Sequence, residues 1–203
     1  MKRLIILSVL LFNLYSSYSQ QKESPLVNSF HEHIKLKNQS NIHLEWISLV
    51  PVLNSARVES IQVDEKNPGT MYVAFGSGNL WKTVNNGITW KPIFENQPSL
   101  GIGDIALAPS NSDIIYVGTG ESLKKARNFT MPGTGMYRST NAGDTWEHIG
   151  LEDSWHIGEI SVHPTNPDIV LVSVLGHFWS KNVNRGIYKT EDGGKSWKHV
   201  LYI

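Results

Sequence analysis

One nine-residue pattern recurs three times, and it constrains the fold more than any composition figure does. Lys82 to Trp90 reads KTVNNGITW, Arg138 to Trp146 reads RSTNAGDTW, and Lys189 to Trp197 reads KTEDGGKSW. The shared template is a basic residue, Ser or Thr, any residue, Asn or Asp, any residue, Gly, any residue, Ser or Thr, and Trp. Its glycines stand at 87, 143 and 194, so the intervals are 56 and 51 residues. A chain with such a period is assembled from stacked copies of one supersecondary unit.

A second element precedes each copy. Val58 to Asp64 leads through Asn67 and Pro68 to Thr70 to Ala74. Ile102 to Leu107 leads through Pro109 and Asn111 to Ile114 to Gly118, and Ile157 to Val162 leads through Pro164, Asn166 and Pro167 to Ile169 to Ser173. Each is a pair of short β-branched segments joined by a Pro/Asn turn. With the strands flanking the box, each unit holds four strands. Within the box, Asn85, Asn141 and Asp192 can bond back to the turn. Thr83, Ser139 and Thr190 add a hydroxyl, and Gly87, Gly143 and Gly194 supply positive φ. Trp90, Trp146 and Trp197 offer a large apolar surface to a neighbouring sheet.

A four-stranded sheet apolar on both faces must stack on further copies. The pattern therefore predicts an all-β fold over residues 44–203, a partial β-propeller of about three four-stranded blades near 58–94, 102–150 and 157–201. Leu44 to Leu49 is expected as one further strand. Three blades fall short of the roughly four to eight that close a ring. The expectation is the N-terminal part of a longer propeller, whose remaining blades are the first partner.

Ahead of the repeats, Met1-Lys2-Arg3, the apolar run Leu4 to Leu14 and Ser17-Tyr18-Ser19 read as a signal peptide over 1–19, followed by a polar leader over 20–43. Export to a bacterial periplasm or beyond is expected, with no membrane insertion after signal cleavage. The 18 basic residues balance 18 acidic ones, and losing Lys2 and Arg3 leaves a mature charge of minus two. Such a surface gives no reason to expect a nucleic-acid partner. There is no cysteine, which removes disulfides and thiolate chemistry. His31-Glu32-His33 has no convincing third ligand, so no metal and no cofactor are expected.

The boxes Ser139 to Trp146 and Thr190 to Trp197 resemble the Asp-box, or bacterial neuraminidase repeat, propeller superfamily. Tyr116 to Glu121 and Val162 to Asp168 are similar to stretches of its exported sortilin-N-terminal-like (VPS10-type) members, often labelled glycosyl hydrolases. The resemblance implies a propeller whose boxes sit on outer hairpins away from the ligand face. It spans sialidases, xyloglucanases, sortilin-type receptors and photosystem assembly factors. Asp192 shares its register with Asn85 and Asn141, so it is structural and not a catalytic acid. Xyloglucanase-like members carry a catalytic Asp in a first-blade segment, and Gly76 stands in its place here. The sialidase arginine signature is also missing around Arg57.

The departures from the repeat point to a ligand face. Glu121 to Pro132 in the second unit and Gly176 to Arg185 in the third are insertions at equivalent points and should project from one side. Glu121 and Arg127 offer an acceptor and a bidentate donor, while His177, Phe178 and Trp179 form an aromatic patch; His156 precedes the inner strand of the third unit. The candidate ligand residues are Glu121, Arg127, His156, His177 and Trp179. The alternative is that Glu121 and Arg127 fix the loop and the aromatics pack it onto the blade. Three functions follow: an exported module binding a protein, peptide or glycan; a glycoside hydrolase fragment with Glu121 as the first carboxylate to test; or an envelope assembly module.

Overall fold

The computed structural model describes residues 24–40, 56–122 and 130–202. The signal segment, the strand expected at Leu44 to Leu49 and Arg127 lie outside them. The stretch read from composition as a leader contains helix α1 (Pro25–Gln39). Pro25 occupies the first turn, where a missing N–H costs nothing, and Lys37 lies in the last turn against the helix dipole. Leu26, Val27, Phe30 and Ile34 follow a helical period that the many polar residues between them hide.

The rest is three four-stranded antiparallel sheets, each meandering in chain order. The first comprises β1 (Val58–Val63), β2 (Met71–Phe75), β3 (Leu80–Thr83) and β4 (Lys91–Pro92). The second comprises β5 (Ile102–Ala108), β6 (Asn111–Thr119), β7 (Met136–Ser139) and β8 (Glu147–His148). The third comprises β9 (Ile157–Val162), β10 (Val170–Val174), β11 (Gly186–Thr190) and β12 (Lys198–Tyr202). The first strands lie side by side, β1 against β5 and β5 against β9, as the innermost strands of neighbouring blades.

Alternation across the pleat sorts the core. Ile105, Ile115, Val117 and Tyr137 of the middle sheet pack on Tyr72, Ala74 and Leu80 of the first. Ala106, Tyr116 and Met136 point the other way, onto Ile160, Val170, Val172 and Val174 of the third. Both faces of β5 are covered, which is why its sequence is almost continuously apolar. The outward faces of the end sheets leave Ile61 59% and Leu171 43% exposed.

Directional bonds pin the stacked sheets in register. The Trp146 indole N–H donates to the Ile93 carbonyl at 2.8 Å, and Trp197 donates to Ile149 at 2.6 Å, each reaching the preceding blade. The Tyr116 hydroxyl donates forward to the Pro167 carbonyl at 2.9 Å. Burial pushes that phenol up to about 12, so it remains a donor. Arg138 pairs with Asp168 at 2.7 Å, and Asp104 accepts the Ile160 N–H at 2.8 Å.

Each box closes on itself through its own side chains. Thr83 Oγ1 accepts the Gly87 N–H at 3.0 Å, and Asn85 Oδ1 accepts the Thr89 N–H at 2.9 Å. Ser139 and Asn141, then Thr190 and Asp192, repeat both bonds. Where Asn85 donates its amide to the Thr89 hydroxyl, Asp192 instead accepts from Ser196 Oγ. Rotation of one hydroxyl lets the amide and the carboxylate interchange. These bonds, led by that from Ser196, hold the Asp192 carboxyl down at about 2.

Gly118 faces Ile157 so closely that a Cβ there would meet Ile157 Cγ2 at 2.3 Å. Gly118→Ala should therefore destabilise the intact protein by about 1–3 kcal/mol. Ile157→Ala in the same chain should recover part of that loss, and a double-mutant cycle by chemical denaturation measures the coupling.

Candidate functional site

Antiparallel order places two kinds of connection at opposite ends of the sheets. The boxes and Pro/Asn turns share one end. The β2–β3, β6–β7 and β10–β11 connections share the other, together with the segments that lead from blade to blade. The described ends of both insertions therefore lie on one face.

On that face a pocket of about 310 Å³ is lined by Thr130, Pro132, Trp155, His156, His177, Phe178, Trp179 and Ser180. The His156 and Phe178 rings stack with centroids 4.2 Å apart and 18° between planes. Trp155 lies 3.9 Å from His177, and Trp179 meets Phe178 edge-on at 5.9 Å while leaving 63% of its surface exposed. Among the described residues its lining contains no carboxylate, lysine or arginine.

The connection between blades two and three is what presents the floor of this pocket. It turns through a short 3-10 segment, Glu152–Ser154, flanked by Leu151 at φ 60° and Trp155 at φ 54°. A bulky side chain in that region is costly and persists only where its surroundings hold it. Here the Gly133 N–H donates to the Trp155 carbonyl at 2.7 Å, and Leu175 N–H donates to the His156 carbonyl at 2.9 Å. The β10–β11 insertion is clamped from beneath by Arg185, which donates to the Leu175 carbonyl at 2.8 Å and the His177 carbonyl at 3.0 Å.

Of the residues expected from sequence, His156, His177 and Trp179 come together in this pocket. Glu121 stands behind it, fully buried, with its carbonyl bonded to His156 Nδ1 at 3.0 Å. Its carboxylate turns away to blade one and pairs with Arg57, a residue 64 positions earlier that its surroundings in sequence do not mark out. Sequence reasoning also passed over Trp155 and Arg185. Trp155 stands in the inter-blade connection next to His156, and that adjacency was the available signal.

Gly76 has no room for the side chain that its place in the first blade suggested. A Cβ there would meet Glu121 Oε1 at 2.8 Å and Glu59 Oε1 at 2.9 Å, so two carboxylates from other segments already fill the space. Burial raises the Glu59 carboxyl above its ordinary range, against the opposing effect of Arg57. Two larger grooves, of about 590 and 400 Å³, run beside Trp197 and Trp146. They recur at both blade seams, which makes them products of stacking.

Residues 78–202 match the Sortilin-Vps10 family profile, described as sortilin, neurotensin receptor 3. The chain is 28% identical over 173 aligned residues to xyloglucanase Xgh74A of Acetivibrio thermocellus, an alignment covering 70% of this chain and 20% of that one. It thus spans about a fifth of the length of the curated relative it matches. Among solved structures, an ancestral GH74 enzyme superposes with a TM-score of 0.54 at 21% identity, over 71% of this chain and 18% of the other. YCF48 from Cyanidioschyzon merolae gives 0.50 at 20% identity, over 73% and 38%. These two likenesses are of fold.

Burial, reinforced by the nearby His177, holds the His156 imidazole down at about 4. His156 should thus remain neutral through mildly acidic pH, observable by NMR as a ring resonance whose titration is centred near pH 4. Because its folded value lies below the unfolded one, near 6.5, it contributes stability above that pH. The contribution is lost as pH falls from there through about 4.

Proposed function

The chain belongs to the Sortilin-Vps10 family, and on that premise we propose that it is part of an exported bacterial propeller that binds a glycan on its insertion face. Further Asp-box blades complete the ring in the whole protein. The observation that carries this reading is the aromatic pocket around the exposed Trp179. The apolar C–H face of a pyranose ring can lie on an indole, while the Thr130 and Ser180 hydroxyls and the imidazoles meet its hydroxyl groups. The likeness to a xyloglucanase makes xyloglucan the first glycan to try.

Glycoside hydrolysis is the second reading, favoured by the same likeness and by the carboxylates above Gly76. Glu121 suits it poorly, because a fully buried carboxylate neutralised by arginine does not reach a substrate. As a binding module, the intact protein should be retarded in xyloglucan affinity gels. Trp179→Ala should weaken that retardation about tenfold, as truncating an aromatic anchor does. No reducing ends should appear on prolonged incubation. Their release would establish the hydrolase instead, and undiminished release by Glu121→Gln would remove Glu121 from its chemistry. Equal retardation of Trp179→Ala and the unaltered protein would place the ligand elsewhere.

A further inference from the structure

The innermost strand of every blade carries a bulge at its second residue. In β1 the register slips between Val58 and Ser60, in β5 between Ile102 and Asp104, and in β9 Ile157 pairs with Val174 while Glu159 pairs with Ser173. The extra residue is Glu59 in the first case, Gly103 in the second and Gly158 in the third. Glycine has a steric reason in the latter two. A Cβ on Gly103 would meet the Ile157 carbonyl at 1.9 Å, and one on Gly158 would meet Ser173 Oγ at 2.8 Å. Blade one alone of the three puts a long carboxylate there. A bulge re-aims the side chain it carries, and Glu59 is aimed at the space above Gly76, on the same end of the sheets as the aromatic pocket.

That space is polar on several sides. Glu121 Oε1 reaches it from blade two, fully buried and paired with Arg57. Its counter-ion Arg57 leaves 46% of its side chain exposed, so the guanidinium keeps free donors. Glu59 itself is half-buried.

We propose that Glu59 and Arg57 form a second contact site for the glycan, in which the Glu59 carboxylate accepts hydrogen bonds from two neighbouring sugar hydroxyls and Arg57 donates to their oxygens. The inference rests on the glycan-binding reading above and adds a polar anchor on blade one to the aromatic platform on blade three. Glu121 is the positioning residue, holding Arg57 through its charge and the pocket floor through His156. Glu59 must be ionised to accept both bonds. Burial raises its carboxyl and Arg57 opposes that rise, with Arg57 and Glu121 the charged groups facing it among the described residues. Binding should therefore be complete above the folded value and fade as pH falls through it, beginning at higher pH than an ordinary glutamate would dictate.

Titration calorimetry of the intact protein with a xyloglucan oligosaccharide tests this. Glu59→Gln should weaken binding about ten- to hundredfold at pH 7, the loss expected for hydrogen bonds to a charged group, and should abolish the acid-side decline. Glu59→Gly, the residue of the sister bulges, should do the same, and it guards against a Gln variant that folds poorly. Binding of Glu59→Gln within twofold of the unaltered protein, while Trp179→Ala loses it, would overturn the Glu59 site and leave the glycan reading standing. An unaltered protein that takes no oligosaccharide would overturn both.

Discussion

The bond from a box tryptophan to the preceding blade, made by Trp146 and Trp197, is the interaction on which this architecture turns. Hydrophobic stacking attracts one sheet to the next but does not fix where it rests. The Trp146 and Trp197 indoles, donating to Ile93 and Ile149, supply that fix at the outer rim, and Asp104, bonded to the Ile160 N–H, supplies it near the axis. Small residues complete the arrangement, since only at Gly118 can the Ile157 side chain approach so closely. The box is then a device for presenting an indole at a set height. Its internal bonds make the hairpin rigid before any neighbour arrives.

This division explains the difference between the two ends of the sheets. At the box end, side chains satisfy the turn backbone within a few residues of themselves, and little remains to engage a ligand. At the other end, the connections depend on contacts between blades and hold Leu151 and Trp155 in left-handed conformations. Strain, aromatic surface and half-buried charge all collect there. A rigid scaffold carrying irregular loops at one end is a common arrangement for binding.

What could be read from sequence follows from the distance over which each contact acts. The strands and their order within each sheet are encoded within tens of residues, and the three four-stranded sheets stand as the sequence predicts. His177 and Trp179 stand in an insertion that interrupts the repeat and His156 precedes the inner strand of the third unit, and the fold brings the three to one pocket. The Arg57–Glu121 pair spans two blades, and nothing near either residue identifies the other. Glu121 had been matched with Arg127, its neighbour in the insertion. Glu59 was hidden differently: a glutamate in an alternating strand looks like ordinary solvent-facing polarity until the bulge register shows glycine at the sister positions. Helix α1 was masked because polar composition outweighed a sparse apolar period.

Because the Trp146 and Trp197 indoles reach backwards and Tyr116 and Arg138 reach onwards, the joint between blades is head-to-tail. Trp90, 38% exposed, meets no carbonyl of another blade among the described residues. Val200 stands where Ile93 and Ile149 accept an indole in the earlier blades. Such a joint has no internal rule for stopping: repeated at one angle it closes into a ring, and at another it winds into a filament. Blade number in an assembly of this kind is thus decided by the small rotation between neighbouring sheets, a geometric quantity to which residues such as Gly118 and Asp104 contribute far from any ligand.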